Sequence, residues 1–250
     1  MENRYDGLLR EHDTDITACV PGTEYLRRKV AQVYTAHIIR GARAIDLGCG
    51  NGKGAVELLQ ASNKEGALTL LDASGKALVA CRSAIIECYR SVSKYDGAFQ
   101  HKDNRGQLEE IYKAVPLVCS DALTYLRKPK QYYYTVLSSW MIHNLPPEER
   151  HDLLRAIFEV LCPGGWFIWM DKIYPDDPTQ ASALHAAQLA RYATLPEEVR
   201  GAIVAHENED FTPDFRLKEE VTLAALKKAG FSRVQVVDRV ERDLIVVARV

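Results

Sequence analysis

Four glycines at alternate positions, Gly48, Gly50, Gly52 and Gly54, constrain the fold of this chain more than any other feature. They follow an apolar run within residues 43–47 and precede apolar residues at helical spacing. Such a run is typical of a parallel strand that helices cover on both faces. Glycines let the backbone turn sharply and come close to a ligand. The stretch therefore predicts a strand, a glycine-rich turn and the start of a helix, an arrangement that suits a nucleotide-like ligand.

Asp46 helps to decide which ligand this turn binds. Gly50, Gly52 and Ala55 match the looser form of the dinucleotide-binding pattern, so a nicotinamide-dependent oxidoreductase remains an alternative. Asp46, however, is a carboxylate expected to be buried near the end of the strand. A buried carboxylate needs a donor or a cation, so it would repel a pyrophosphate and suit the ammonium of an amino acid. A purely structural turn with no ligand also remains open.

An acid followed by alternating glycines, as in residues 46–52, resembles the first motif of class I S-adenosylmethionine-dependent methyltransferases. Residues 161–165, which read Leu-Cys-Pro-Gly-Gly, are similar to a recurrent turn of the same family. The resemblance implies an α/β fold with a Rossmann-like, seven-stranded, mostly parallel sheet, a C-terminal antiparallel hairpin and helices on both faces. The remaining strands are predicted at 67–72, 115–122, 132–139, 166–170, 231–237 and 244–248.

Acidic residues lie at the ends of two of these stretches. Asp72 lies ~20 residues after the glycines, the place from which a carboxylate accepts hydrogen bonds from ribose hydroxyls. In the resembled family an acid-Ala pair such as Asp121-Ala122 contacts adenine; for both acids a helix cap is the alternative. The resemblance also places Ser138, at the end of the fourth strand, beside the sulfonium. The residues predicted to bind S-adenosylmethionine are Tyr25, Asp46, Gly48, Cys49, Gly50, Asn51, Gly52, Asp72, Ala73, Asp121, Ala122 and Ser138.

His143 follows the fourth strand and is the predicted catalytic residue. An imidazole there can orient or deprotonate a methyl acceptor, and a histidine that only hydrogen-bonds its own loop is the alternative. Trp140 walls the methyl site or belongs to the core.

Two segments lie outside the repeating strand-helix pattern. Residues 1–40 are predicted to form an N-terminal helical lid, in which Thr23 caps a helix that runs to about residue 39. Tyr25 or an arginine of that helix reaches the ligand's carboxylate, or the helix only presents a solvated cationic face. Residues 174–216 are predicted as a helical cap inserted before the last helix, because the resembled family covers its substrate there. The predicted substrate contacts are Trp140, Tyr174, Arg191 and His206.

Length and charge limit the partners. The chain has 250 residues, which suits a single domain, and a net charge of -2, which gives no general attraction to nucleic acid. No apolar run approaches the ~20 residues of a membrane span. Six scattered cysteines without a Cys-x-x-Cys pair predict a reduced, cytoplasmic protein with no metal site. A homodimer remains open.

The sequence therefore predicts methyl transfer from S-adenosylmethionine to an oxygen or nitrogen nucleophile of a small molecule. Residues 20–22 (Val-Pro-Gly) and 228–231 (Lys-Ala-Gly-Phe) also resemble carboxy-S-adenosylmethionine synthase, an enzyme of tRNA modification. That family holds the extra carboxylate with an arginine of the late insertion, where Arg191 and Arg200 lie. This enzyme type and a non-catalytic cofactor-binding module are the alternatives.

Overall fold

The computed structural model describes residues 16–39, 41–62, 67–93, 104–129 and 131–250. Residues 1–15 of the predicted lid lie outside this part. Within it, eight strands form one sheet. They are β1 (Arg43–Leu47), β2 (Ala67–Asp72), β3 (Leu117–Cys119), β4 (Tyr133–Ser139), β5 (Leu161–Tyr174), β6 (Leu217–Lys218), β7 (Arg233–Val240) and β8 (Asp243–Arg249).

The strand order is β3-β2-β1-β4-β5-β8-β7, with β6 paired to the end of β5. Strands β1 to β6 are parallel to one another, and β8 runs antiparallel to both β5 and β7. The predicted mostly parallel sheet with a C-terminal hairpin is therefore confirmed. The expected number of seven strands omits β6, because a two-residue strand is too short to show an alternating pattern.

Helices cover both faces of the sheet, as the sequence predicted. One apolar core holds side chains of the helices before β1, after β1 and after β2, and the other those of the helices after β3, before β5 and before β7. The helices are α1 (Thr23–His37), α2 (Lys53–Ala61), α3 (Gly75–Ser93), α4 (Asn104–Ala114), α5 (Ala122–Leu126), α6 (Pro147–Val160), α7 (Pro178–Tyr192), α8 (Glu197–Asp210) and α9 (Glu219–Ala229). None of the described helices is long and apolar enough to cross a lipid bilayer.

β5 is much longer than the five residues predicted from its apolar run. Tyr133 of β4 pairs with Leu161, and Thr135 pairs with Trp166, so residues 162–165 bulge out opposite the single residue Tyr134. The predicted Pro-Gly-Gly turn is therefore a bulge within the strand. At its other end β5 continues to Tyr174, through charged residues that the sequence pattern does not mark as strand.

Two local predictions are wrong. Thr23 does not cap α1: Gly22 is the N-cap, and the Thr23 hydroxyl donates to the carbonyl of Val20 at 2.7 Å. The charged segment 238–243 is not a loop, because only Glu241 and Arg242 separate β7 from β8. Its charges are tolerated within the hairpin because they have partners on neighbouring helices, as when Tyr25 of α1 donates to Asp238 at 2.6 Å.

Candidate active site

The glycine-rich turn lies at the carboxyl end of β1, next to the end of β2 and the segment after β4. The amides of Gly48 and Cys49 both donate to the Leu71 carbonyl, at 2.8 and 3.0 Å. Gly48 has φ +73°, and a Cβ there would lie 2.5 Å from Cγ of Met141, so this position requires glycine. Gly50 has φ +54° and faces open space. The turn therefore leaves room for a ligand directly above its backbone.

Two carboxylates lie below this turn. Asp72 is buried and accepts hydrogen bonds from the amides of Gly50 and Ser74, each at 2.8 Å. Asp46 is also buried, and none of the described residues donates a hydrogen bond to it. Burial and the charge of Asp72 raise the pKa of Asp46 to about 7. Asp46 is thus a buried carboxyl group beside the turn, and it has no hydrogen-bond donor in the described part of the chain.

The end of β3 lies beside the end of β2. The Ser120 amide donates to the Asp72 carbonyl at 3.1 Å, and Cys119 Sγ lies 3.7 Å from the Ala73 carbonyl. Asp121 is exposed and caps α5, where it accepts from the Thr124 amide at 2.8 Å. Asp121 therefore does act as a helix N-cap, and the second oxygen of its exposed carboxylate is still available to a ligand.

Other residues predicted to bind the cofactor lie in and beside the turn. Cys49 is buried with its sulfur 3.9 Å from that of Cys81, and this contact together with burial raises its pKa. Asn51 is exposed and accepts from the Lys53 amide at 3.3 Å. Ser138 is fully buried, and its hydroxyl has no hydrogen-bond partner among the described residues.

His143 lies in a 3-10 turn, residues Ile142–Asn144, two residues after the Met141 that contacts Gly48. It is 6 % exposed, and its Nδ1 is hydrogen-bonded to Asp171 of β5. Burial alone would raise the pKa of Asp171, but the charge and hydrogen bonds of His143 and of the Trp169 indole lower it. Asp171 is thereby kept ionised. When the imidazole of His143 is neutral, an Nδ1–H bonded to Asp171 leaves Nε2 able to accept a proton.

A network of buried charges lies between the ends of β5 and β8 and the helix α8. Lys172 contacts Asp210 and lies 3.6 Å from Glu207, and Arg242 contacts Glu207. Burial alone would lower the pKa of Lys172, but the two carboxylates raise it above its usual value. Tyr174 also lies in the network, and burial raises its pKa to about 12. Two cations and two carboxylates thus balance each other in this interior.

His143, His206 and Asp210 have the spacing of metal ligands. Their ligand atoms lie within 4.8 Å of one another, and Oδ2 of Asp210 is 3.9 Å from His143 Nε2 and 3.4 Å from His206 Nε2. The sequence predicted no metal site. Because the Lys172 ammonium contacts this same oxygen, the carboxylate is neutralised without a metal ion. We therefore interpret the group as a hydrogen-bonding cluster, in which His206 also lies 3.2 Å from Asn144 Oδ1.

Trp140 connects the end of β4 to the hairpin. It has φ +49°, an uncommon conformation for a residue other than glycine, and its indole N–H donates to the buried Asp243 at 2.6 Å. The Arg27 guanidinium of α1 lies 5.8 Å from the centre of its ring. Trp140 therefore lies where α1, the segment after β4 and the hairpin meet.

Three predicted ligand contacts have protein partners. Tyr25 is half exposed and binds Asp238, and Tyr174 is buried with its hydroxyl accepting from Arg242 at 2.9 Å. Arg191 makes a bidentate pair with Glu241, at 2.6 and 2.7 Å. Arg200, the other arginine considered for a carboxylated cofactor, donates to the Leu195 carbonyl at 2.8 Å. Of the four predicted substrate residues, Trp140 and His206 are the two that lie near His143.

Four buried charged residues near His143 were not among the predicted site residues: Asp171, Lys172, Asp210 and Arg242. Asp171 and Lys172 directly follow the apolar run of β5. Two adjacent charges at the carboxyl end of a buried parallel strand are the signal that would have found them, since binding and catalytic groups collect at that edge. Arg242 carried no such signal, because it lies in a run of charges that resembles a solvated turn.

The chain is therefore a Rossmann-like protein with a glycine-rich turn and acidic side chains at the carboxyl ends of its parallel strands. A family model described as a methyltransferase domain matches residues 45–169, half of the chain. The chain belongs to this methyltransferase family, and the predicted membership of the class I S-adenosylmethionine-dependent methyltransferases is confirmed. S-adenosylmethionine is the cofactor. The resemblance to carboxy-S-adenosylmethionine synthase remains a hypothesis.

Solved structures show the same fold at low sequence identity. The pyocyanin biosynthetic protein PhzM is 17% identical, with a TM-score of 0.63 over 99% of this chain and 62% of that one. An O-methyltransferase family protein from Burkholderia thailandensis is 14% identical, with a TM-score of 0.61 over 93% and 57%. The N-methyltransferase NodS from Bradyrhizobium japonicum WM9, in complex with S-adenosyl-L-homocysteine, is 13% identical, with a TM-score of 0.59 over 99% and 98%. The chain thus spans about three fifths of the first two. A comparison with curated proteins gave no match.

Proposed function

We propose that this protein transfers a methyl group from S-adenosylmethionine to an oxygen or nitrogen nucleophile of a small molecule. One observation carries the proposal: His143, oriented by the buried Asp171, lies two residues from Met141, which packs against the cofactor turn at Gly48. A base and a cofactor site are thereby held at the same edge of the sheet. Solved relatives of this fold include both an O-methyltransferase family protein and an N-methyltransferase.

The strand-end residues fit the parts of S-adenosylmethionine. Asp46 lacks a donor among the described residues, and the ammonium of the methionine moiety would supply one. The open space above Gly50 admits a ligand, and the Asp72 carboxylate, which binds the Gly50 and Ser74 amides, lies where it would accept hydrogen bonds from the ribose hydroxyls. Asp121 and Ala122 would contact the adenine.

His143 would accept the proton of the acceptor. When bound, S-adenosylmethionine supplies a methyl group that its sulfonium already makes electrophilic. The protein must therefore position the nucleophile, exclude water and remove its proton. Asp171 holds Nδ1 of His143, and Nε2 faces the side on which Asp210 and His206 lie. The proton moves from the acceptor to Nε2, and Asp171 stabilises the resulting imidazolium.

The inserted helices α7 and α8 would form the cap of the acceptor site. Glu207 and Asp210 of α8 are buried against Lys172 and Arg242 at the ends of β5 and β8. Breaking such buried pairs is costly, so we propose a fixed cap and not one that opens in each turnover. The acceptor would then enter beside α8. We propose that α1 covers the opposite side of the acceptor site, where its Arg27 lies over the ring of Trp140.

Calorimetric titration with S-adenosylmethionine, S-adenosylhomocysteine and NAD tests the first half of the proposal. We expect the first two to bind with dissociation constants in the micromolar range and NAD not to bind. Methyl transfer is then tested by incubating the protein with panels of phenols, carboxylic acids and amines and measuring S-adenosylhomocysteine release. Binding of NAD alone would refute the cofactor assignment, and cofactor binding with no turnover of any acceptor would favour a binding module.

Asp46 should make cofactor affinity depend on pH. Its pKa is about 7, whereas pairing with an ammonium requires the ionised carboxylate. The ionised fraction of such a group rises about tenfold between pH 6 and pH 8, so we expect the calorimetric affinity for S-adenosylmethionine to rise about tenfold. The Asp46→Asn variant should bind more weakly and lose this dependence.

The raised pKa of Asp46 also makes the free energy of unfolding of the cofactor-free protein depend on pH. Between about pH 4 and pH 7 the folded state keeps a proton on Asp46 that the unfolded state releases, so the free energy of unfolding should fall as pH rises. Asp46→Asn, measured by thermal unfolding over this interval, should show a smaller fall than the wild type. A cofactor affinity that does not change between pH 6 and pH 8 would argue against the pairing.

A further inference from the structure

A cavity of about 230 Å³ lies between α6, β5, the segment 213–218 and α9. Leu154 and Trp169 are among its apolar wall residues, and both are buried. Its polar wall includes Arg150, Arg216, Lys218 and Thr222. The volume is enough for a small organic molecule.

The charge around this cavity is predominantly positive. Three permanent cations line it, whereas Asp214 is the one acidic residue among the described lining residues. Arg150 is engaged, since it donates to the carbonyls of Leu145 at 2.9 Å and of His143 at 2.7 Å. Arg216 and Lys218, by contrast, make no ion pair within the part of the chain that the structure describes. The cavity therefore has positive charge that the described residues do not neutralise.

Two buried polar atoms at the cavity lack a hydrogen bond. Thr222 is 3 % exposed, and its hydroxyl has no partner among the described residues; Nε of Arg216 is likewise buried without a partner. A buried polar group without a partner is costly and uncommon in folded proteins. A hydroxyl and a guanidinium N–H can both donate to one carboxylate group.

We propose that this cavity binds a small organic carboxylate with an apolar body. The carboxylate accepts hydrogen bonds from Thr222 and Arg216, and Lys218 adds charge, while the body packs against Trp169 and Leu154. An apolar wall on one side and donors on the other favour this class over a bare inorganic anion. The assignment rests on this cavity alone, so it stands or falls independently of the methyl-transfer proposal.

Two residues that line the cavity support His143, Arg150 directly and Trp169 through Asp171. The indole N–H of Trp169 donates to Oδ2 of Asp171 at 3.0 Å, and Arg150 donates to the His143 carbonyl. A carboxylate bound there would touch the supports of the catalytic histidine without touching the histidine itself.

Titration of the full chain with benzoate, and with benzamide as a neutral analogue, tests the site. We expect benzoate to bind with a dissociation constant below about 1 mM and benzamide to bind at least about tenfold more weakly. Arg216→Gln should weaken benzoate binding by about tenfold or more, because a charge-assisted hydrogen bond is lost. Arg155→Gln is the matched control, since Arg155 lies exposed on α6 and pairs with Glu159 at 2.9 Å. It should leave benzoate binding unchanged within about twofold.

Thr222→Val provides a second test that keeps side-chain volume and should fold. It removes an unsatisfied hydroxyl, so we expect a higher Tm together with weaker benzoate binding. The proposal is overturned if wild-type protein shows no benzoate binding up to about 10 mM, a level far above that expected for a specific site. It is equally overturned if benzamide binds as well as benzoate, or if Thr222→Val and Arg155→Gln both bind as the wild type does.

Discussion

Replacing His143 with alanine should lower kcat for methyl transfer by about 10²- to 10⁴-fold, the range typical of a lost general base. The imidazole is buried, hydrogen-bonded to Asp171 through Nδ1, and close to the turn that we assign to the cofactor. Affinity for S-adenosylmethionine should not change, because the residues assigned to the cofactor are Asp46, the glycine turn and Asp72. Single-turnover kinetics with saturating cofactor measures the chemical step, and calorimetry measures the affinity.

A second histidine variant separates catalysis from general disturbance. His37 lies at the end of α1, where its ring packs edge-on against Trp166, away from the site. His37→Ala should therefore keep full activity. Asp171→Asn should lower kcat, since the carboxylate orients the His143 imidazole and stabilises the imidazolium that forms when the acceptor loses its proton. If His143→Ala turns over at the wild-type rate, the histidine is structural and another group removes the proton.

Replacing Arg242 with methionine should destabilise the protein by about 3–5 kcal/mol, the usual cost of removing one partner of a buried ion pair. Arg242 is 2 % exposed and contacts Glu207, and it donates to the Tyr174 hydroxyl at 2.9 Å. The variant leaves Glu207 with Lys172 as its one nearby permanent cation among the described residues. Urea unfolding monitored by circular dichroism measures the loss.

The pair of Arg155 and Glu159 is the matched comparison, because both side chains are largely exposed. Arg155→Met should change the free energy of unfolding by less than about 1 kcal/mol. If Arg242→Met were equally mild, α8 would not be held by the buried charges, and our proposal of a fixed cap would be wrong. Limited proteolysis adds a local measurement, since a loosened α8 should be cut faster in Arg242→Met than in Arg155→Met.

The grouping of the residues assigned to the cofactor at one edge of the sheet could be predicted, because their signals are local in sequence. Asp46 and the glycines occupy one strand and one turn, and Asp72 and Asp121 each lie at the end of an apolar run. In a parallel sheet the carboxyl ends of neighbouring strands share one edge, so these positions meet without further information. The parallel pairing of β1 to β5 follows from the alternation of strands and helices, and the C-terminal hairpin follows from the short connection between its two strands.

The buried charge network could not be predicted, because it joins distant parts of the chain. Lys172, Glu207 and Arg242 come from β5, α8 and the hairpin turn, and each one alone resembles a surface residue. A charge is buried only where a partner meets it, and a single sequence does not state which charges meet. The bulge at residues 162–165 was not predicted for a related reason. The Pro-Gly-Gly pattern indicates a bend, but it does not show that β5 pairs with β4 on both sides of that bend.

The strand order affects how this protein is made. β8 lies between β5 and β7 in the sheet, yet it follows both of them in the sequence. A nascent chain that has left the ribosome only as far as β7 therefore presents β5, with its run of buried apolar side chains, as an open edge. Such an edge is a template for association between chains. Completion of the sheet therefore waits for β8, and chaperone demand should be greatest just before β8 emerges.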